Sequence, residues 1–359
     1  MASLRRLAGS LTVSETALMV LVAVILALFA VTLAFSVYAV LLRSRHRRRD
    51  RLWEELSARW EAPVLAALVD ADQIPAAQAC VDEEHRLHFV RFVLEYTRRV
   101  RGEERRTLQK LVAPFLDGIA ARAQDRRSEV RTRAIQTLGT LGLPKYSAEV
   151  LRGLEDPSPL VSMVAARYLA RPEFPEFTPI VMKHLDRFEG WNPRFLASML
   201  AKIGPEASST LRDGLADEAT PSWLRAVQAE ALRMQLDPVA GDLAAAALPG
   251  TEDRDLISAL LRLLAAVGRP THVPIIRELC GSSDIIVRAQ ALHALGFLSN
   301  ADDIPLLVAA MDDESPWAAL HAARGVREAG GERELAELAE SDHPHARLAG
   351  QVLFEEGES

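Results

Sequence analysis

Two stretches of this chain, "VRTRAIQTLG" at residues 130–139 and "VRAQALHALG" at residues 287–296, are nearly the same ten letters. They are two instances of a longer pattern. A mostly apolar residue, a mostly small one four places on and a leucine eight places on recur from Val130, Val161, Asn192, Leu224, Leu256, Val287, Ala318 and His345. Successive starts lie 31, 31, 32, 32, 31, 31 and 27 residues apart. The fourth place holds Ala134, Ala165, Leu196, Gln228, Leu260, Ala291, Ala322 and Ala349. The eighth holds Leu138, Leu169, Leu200, Leu232, Leu264, Leu295, Val326 and Leu353.

Residues at i, i+4 and i+8 share one stripe of a helix, so each copy predicts a helix with a fixed inward face. Four places beyond the eighth stand Gly142, Gly204, Gly268, Gly330 and Gly357, where a helix C-terminus accommodates a residue of positive φ. A second apolar-periodic run lies between these helices, as in "SAEVLRGLED", "HVPIIRELCG" and "DIPLLVAAMDD". The turns "DPSP", "ATPS", "ESP" and "SDHP" offer Asp or Ser as caps and Pro for the first helical turn. The unit is a helical hairpin that cannot bury its stripe alone; stacking on its neighbours does so. The expected fold is all-α: a right-handed α-solenoid of about eight hairpins over residues 105–359, preceded by one transmembrane helix.

The "VRxxAxxxLGxLG"-like helix resembles the short HEAT-like repeats of bacterial scaffold proteins, including those of phycobilin lyases. The match is clean at 130–142 and 287–296, recognisable at 161–170, 224–233 and 256–268, and weaker at 192–204, 318–330 and 345–357. The resemblance implies an α-solenoid and, as is usual for such repeats, protein binding; it says little about chemistry, and no cofactor is expected from the residues. Arg131, Arg225 and Arg288 keep the arginine of the motif, and a structural pairing with nearby acids is expected of them. Ser162, Pro193, Ile257, Ala319 and Ala346 replace it.

From Thr16 to Leu42 the chain carries no charged residue. The stretch 17–42 would extend about 39 Å as a helix, beyond the ~30 Å of a bilayer core. A cleaved signal peptide is the rival, but the apolar stretch is too long and the heavier positive charge lies on the wrong side. The span is followed by a basic collar at 43–51 containing Arg43, Arg45, Arg47, Arg48, Arg49 and Arg51, against only Arg5 and Arg6 before it. Positive charge resists translocation, so the short tail 1–16 is expected outside and the C-terminal part in the cytoplasm of a bacterial inner membrane. The same arginines suit anionic lipid headgroups. Ala23, Ala27, Ala30 and Ala34 share one helical face on which a second membrane helix can approach closely. Residues 52–104 read as connecting helices, with Trp53, Leu56 and Trp60 on one face.

The formal charge of −7 divides into +5 over residues 1–50 and −12 beyond them, with −10 in residues 301–359 alone. That distribution disfavours nucleic acid, whose binding rests on neutralising phosphates with cations. The acidic end suits a soluble cap on the last repeat, or a dock for a basic partner. The two cysteines, Cys80 and Cys280, have no ligand-like spacing and predict neither a disulfide nor a zinc site. His85 and His88 in "DEEHRLH" are three apart, but no third ligand is placed by the pattern, and no metal is expected. His293, His321, His343 and His345 do not occupy matching repeat places, and no phosphate loop or nucleophile motif is present. Trp191, Trp223 and Trp317 each fall one residue before a repeat start. Each either staples its own turn or, if exposed, anchors a partner. The expected protein is a non-enzymatic, membrane-tethered scaffold or adaptor. Its resemblance to anchored bacterial scaffolds points to an accessory subunit of a membrane complex, such as cell-surface polysaccharide synthesis machinery. The alternative is an enzyme or lyase-like carrier of a small ligand in the groove of the solenoid.

Overall fold

The computed structural model describes residues 2–97 and 99–354; within the first helix, the side chains of residues 2–17, 19, 39, 41, 42 and 44–49 lie outside the description. The described residues form helices and short 3-10 turns, with no strand among them. They fall into two compact units, one running to Gly118 and one from Ile119.

The first unit contains α1 (Ala2–Val69), α2 (Ile74–Ala79), α3 (Arg86–Thr97) and α4 (Gly102–Val112). The apolar span, the basic collar and the start of the connecting segment are one unbroken helix of 68 residues. The chain has neither Gly nor Pro between Gly9 and Pro63, so nothing local interrupts α1 over that length. Near its C-terminal end Leu56, Trp60, Val64 and Ala67 form a buried stripe. Trp60 meets Phe89 edge-on at 5.2 Å and Phe92 at 5.9 Å, so this face packs on α3. Trp53 lies 6.5 Å from Phe92 and carries the Arg91 guanidinium over its ring.

α5 (Asp117–Arg122) spans the division, and α6 (Ser128–Leu141) opens the array of the second unit. Three pairs follow: α7 (Ser147–Arg152) with α8 (Pro159–Leu169), α9 (Thr178–Lys183) with α10 (Pro193–Ala201), and α11 (Ser208–Ala216) with α12 (Ser222–Gln235). Four more complete it: α13 (Ala240–Ala247) with α14 (Arg254–Val267), α15 (Val273–Leu279) with α16 (Ile285–Leu298), α17 (Ile304–Ala310) with α18 (Pro316–Glu328), and α19 (Glu332–Ala339) with α20 (Ala346–Phe354). The even-numbered helices from α6 to α20 carry the leucine register. Leu138, Leu169, Leu200, Leu232, Leu264, Leu295 and Val326 are all buried, and Leu353 is half-buried. Each register helix from α10 onward packs on the next, as α6 does on α8. Between α8 and α10 the succession changes. There α8 packs on α9 and on the turn Leu185–Phe188, which buries both of its end residues. The second unit is thus an α-solenoid whose dry interior is shared between neighbouring hairpins.

The glycine that ends both opening stretches has a packing reason. A Cβ on Gly139 would lie 2.5 Å from Cγ of Tyr168 on α8, and one on Gly296 would lie 2.7 Å from the Gly325 Cα on α18. Nine places into the repeat, the next register helix therefore comes within backbone reach. Helix ends follow the pattern with one exception. Gly142, Gly204 and Gly330 have positive φ, whereas Gly268 does not, and Gly357 lies outside the described residues. At Gly268 the requirement is space, since a Cβ would meet the Leu264 carbonyl oxygen at 2.4 Å. Caps also differ from expectation. Ser158 and Ser315 occupy N-caps without side-chain bonds, and the carboxylates of Asp156 and Asp313 accept their backbone N–H groups instead.

Candidate binding face on the register helices

Two of the three motif arginines tie consecutive repeats together. Arg131 donates to Asp156 at 2.7 and 2.8 Å and to the Asp125 carbonyl. Arg288 does the same one hundred and fifty-seven residues on, donating to Asp313 at 2.5 and 2.9 Å and to the Ser282 carbonyl. The guanidinium beside each holds the Asp156 and Asp313 carboxyls below the usual range. Arg225 departs from this pattern: it is buried and donates to the Leu215 carbonyl, with no acid as partner. These arginines are occupied with structure, and the outward stripe of the register helices carries exposed apolar side chains.

That stripe begins at the tryptophan place. Trp191 is half-buried, its ring edge-on to buried Phe188 at 5.9 Å, and Trp223 is also half-buried. Trp317 is 55% exposed. The three therefore share a register place but not an environment. Leu160, Phe195, Ile286 and Phe297 stand exposed on the same face.

On α16 and α18 the stripe carries a chain of four rings. Phe297 meets His293 edge-on at 5.0 Å, His293 meets His321 at 4.9 Å, and His321 meets Trp317 at 4.9 Å with the planes at 88°. The outer rings are exposed, Phe297 at 57%, while His321 is only 7% exposed. Neither ring nitrogen of His321 has a hydrogen-bond partner. Burial, then the neighbouring His293 and Arg324, push His321 down to about 4. Burial, then Arg324 and Arg262, lower His293 as well. Both imidazoles are neutral near pH 7. Two register helices before α16, on α12, Glu230 feels burial that raises it, but Arg233 at 2.8 Å and Arg262 at 3.5 Å outweigh that and hold it ionised. Matching histidines by repeat place does not find the pair, because His293 and His321 hold different places. The readable signal is the i, i+4 spacing of His293 with Phe297 and of Trp317 with His321 on consecutive register helices.

The other candidates are dispersed. His85 and His88 lie with ring centroids 5.9 Å apart, and Asp82 is 3.6 Å from His85. No group of three metal-ligating side chains occurs among the described residues. Burial pushes the Cys280 thiol up to about 12. A cavity of ≈ 20 Å³, room for about one water, lies between α6 and α8 beside Leu138, Gly139 and Tyr168. On α1 the window Val20–Tyr38 has a mean hydropathy of 2.9 and is long and apolar enough to cross a membrane. Its Ala23, Ala27, Ala30 and Ala34 are exposed, as are Arg43 and Arg51; the side chains of Arg45, Arg47, Arg48 and Arg49 lie outside the described residues.

The HEAT-repeat family matches residues 242–327, a segment that contains the whole ring chain. No curated protein matches the chain by sequence. Among solved structures, the chain is similar to the complex of CpcE and CpcF of phycocyanin lyase from a Nostoc species, at 18% identity and a TM-score of 0.32, covering 66% of this chain and 86% of that one. It is similar to the karyopherin Kap121p bound to the SUMO protease Ulp1p, at 10% identity and a TM-score of 0.47, covering 83% of this chain. It spans 41% of that karyopherin's length. It is also similar to human deoxyhypusine hydroxylase, at 17% identity and a TM-score of 0.31, covering 68% of this chain and 97% of that one. The family match lies at 242–327, and helical pairs continue the same register on both sides of it, so the second unit is a solenoid of HEAT-like hairpins.

Proposed function

We propose that this protein is a membrane-anchored, non-enzymatic adaptor whose register helices bind a protein partner. The observation that carries the reading is the outward stripe of the array, where Leu160, Phe195, Ile286, Phe297 and Trp317 are exposed on helices whose opposite face is fully committed to the core. A row of large apolar groups on one face marks an interaction surface, and tryptophan is the residue type most enriched among binding hot spots. Trp317 is the primary anchor; Trp191 and Trp223 contribute their remaining exposed edges. Anchoring is assigned to Val20–Tyr38, an apolar window none of which is buried within the protein. The arginines from Arg43 to Arg51 support the reading that the array lies on the cytoplasmic side of a bacterial inner membrane, and they suit anionic headgroups. Ala23, Ala27, Ala30 and Ala34 offer a face for a partner's membrane helix. The client class that fits an anchored scaffold is a membrane complex such as cell-surface polysaccharide synthesis machinery.

The test is purification of the tagged full chain in mild detergent, with identification of what accompanies it, beside a variant carrying Trp317→Ala and Phe297→Ala. A defined partner retained by the parent and lost by the folded variant supports the adaptor. Isolation of the chain alone, together with turnover of a metabolite by it, would make it an enzyme or small-ligand carrier instead.

A further inference from the structure

Two neighbouring register helices each enclose a polar group that nothing in the chain meets. On α18, His321 is only 7% exposed, and neither of its ring nitrogens has a hydrogen-bond partner. On α16, half-buried Gln290 has its Oε1 enclosed and likewise without a partner. Burying such atoms unmet is unfavourable. Gln290 and His321 hold the same repeat place, three residues after the starts at Val287 and Ala318. The other unpartnered buried atoms described in the second unit belong to Glu149, Thr178 and Gln228, each on a different helix.

The fold brings Gln290 and His321 onto one stretch of the outward face. α16 packs on α18, His293 stands one turn beyond Gln290, and its ring meets that of His321 at 4.9 Å. Trp317 lies edge-on to His321. Ile286, one turn before Gln290, Phe297, one turn after His293, and Trp317 itself are exposed. Arg262 and Arg324 on the same face are both engaged, Arg262 with Glu230 at 3.5 Å, so hydrogen-bonding pattern rather than charge selects the occupant.

That pattern is specific. The Gln290 oxygen only accepts. The His321 ring, kept neutral by burial, has one N–H and one lone pair on nitrogens that point apart, so a single group meets one of them. A carboxylate only accepts and would set its lone pairs against the Gln290 oxygen. An ammonium only donates, and it surrenders its hydration on entering apolar surroundings. A hydroxyl has one donor and serves one imidazole tautomer. A primary carboxamide has two donors and a carbonyl, so it serves the Gln290 oxygen and either face of the imidazole.

We propose that Gln290 and His321 form a seat for a glutamine or asparagine side chain of the protein partner. The carboxamide enters between them as the Trp317 indole turns aside, and apolar side chains flanking it in the partner rest on Trp317, Phe297 and Ile286. This inference rests on the reading of the register-helix face as the binding face, names the chemistry recognised there, and is independent of the membrane anchor.

The experiment uses the full chain in detergent at pH 7 with acetyl-Phe-Gln-Phe-N-methylamide and its Met, Glu and Lys counterparts. One phenylalanine of each peptide is fluorinated, so that binding is followed by fluorine NMR. The Gln peptide is expected to bind at least about tenfold more tightly than the Met peptide, which matches its size without its hydrogen bonds, a preference of ~1.4 kcal/mol. Gln290→Met and His321→Phe, each with helicity unchanged by circular dichroism, should bind the Gln and Met peptides alike. A Gln preference that survives in both variants overturns the seat. Equal affinity of the parent for the Gln and Met peptides, or a preference for Glu or Lys, overturns it as well and leaves the apolar binding face standing. Absence of binding by all the peptides overturns this inference alone, since partner retention in the co-purification does not depend on them.

Discussion

His321 of α18 lies edge-on to His293 of α16, with ring centroids 4.9 Å apart and neither nitrogen of His321 hydrogen-bonded. Two imidazoles so placed cannot both charge cheaply, and the nearby arginines deepen the effect. The consequence is a pH dependence of folding with a definite sign.

Folding selects the neutral rings. As pH falls below about 6.5 the unfolded chain takes up protons that the folded array declines, so the contribution of His321 to stability decreases until its value of about 4 is reached and only then levels off. For His321 the loss amounts to about 3 kcal/mol across that window. His321→Phe removes the group and should flatten the profile between pH 6.5 and 4, as followed by urea denaturation of the full chain in detergent. Parent and variant profiles of equal slope would show that His321 is not buried neutral.

Gly139→Ala and Gly296→Ala test the shared interior. Each methyl would enter the next register helix, at the Tyr168 side chain or at the Gly325 backbone. Overpacking of this kind costs about 1–3 kcal/mol. Gly296→Ala is the worse of the two, because backbone cannot rotate away as a tyrosine side chain can. Thermal melts should rank the parent above Gly139→Ala and that above Gly296→Ala; a neutral Gly296→Ala would mean the helices are not in contact there.

The Arg288–Asp313 pair is bidentate and mostly buried, with side chains 19% and 10% exposed. Removing one partner strands the other, at about 1.5–3 kcal/mol. In a double-mutant cycle, Arg288→Met and Asp313→Asn should each destabilise, and together cost less than their sum by about 1 kcal/mol or more. The equivalent cycle on Arg131 and Asp156 should give the same sign. Additive effects in both would mean that the pairs do not link repeats.

The three tryptophans should separate. Trp317→Ala removes an exposed ring and is expected to change stability by less than about 0.5 kcal/mol while weakening partner retention. Trp191→Ala loses an edge contact on Phe188, so about 1 kcal/mol or more of stability should go with it. Equal destabilisation by both would assign Trp317 the stapling role as well.

Much of this protein is local in origin. A stripe written every 31 or 32 residues specifies the register helices, and the burial of Leu138, Leu200 and Leu295 follows because no hairpin can hide that stripe by itself. The pairing of Arg131 and Arg288 with acids was also legible, since the acids sit in the next turn of the same pattern. Arg225 was not, because its partner is a carbonyl, and carbonyls have no letter in a sequence. Nor was the reason for the repeated glycine, which serves the neighbouring helix at Gly296 and not a turn of its own.

The sequence by itself determined an apolar window at Val20–Tyr38, a tandem helical register and the shared place of Trp191, Trp223 and Trp317. Only the tertiary structure decided that Trp317 is open while Trp191 is held against Phe188, and that His293 and His321 meet. The physical reason is that a helical repeat fixes which face a residue occupies, whereas contact across helices depends on their stagger. That stagger is set by side-chain volumes and close backbone approaches such as Gly296 on Gly325, far apart in the chain.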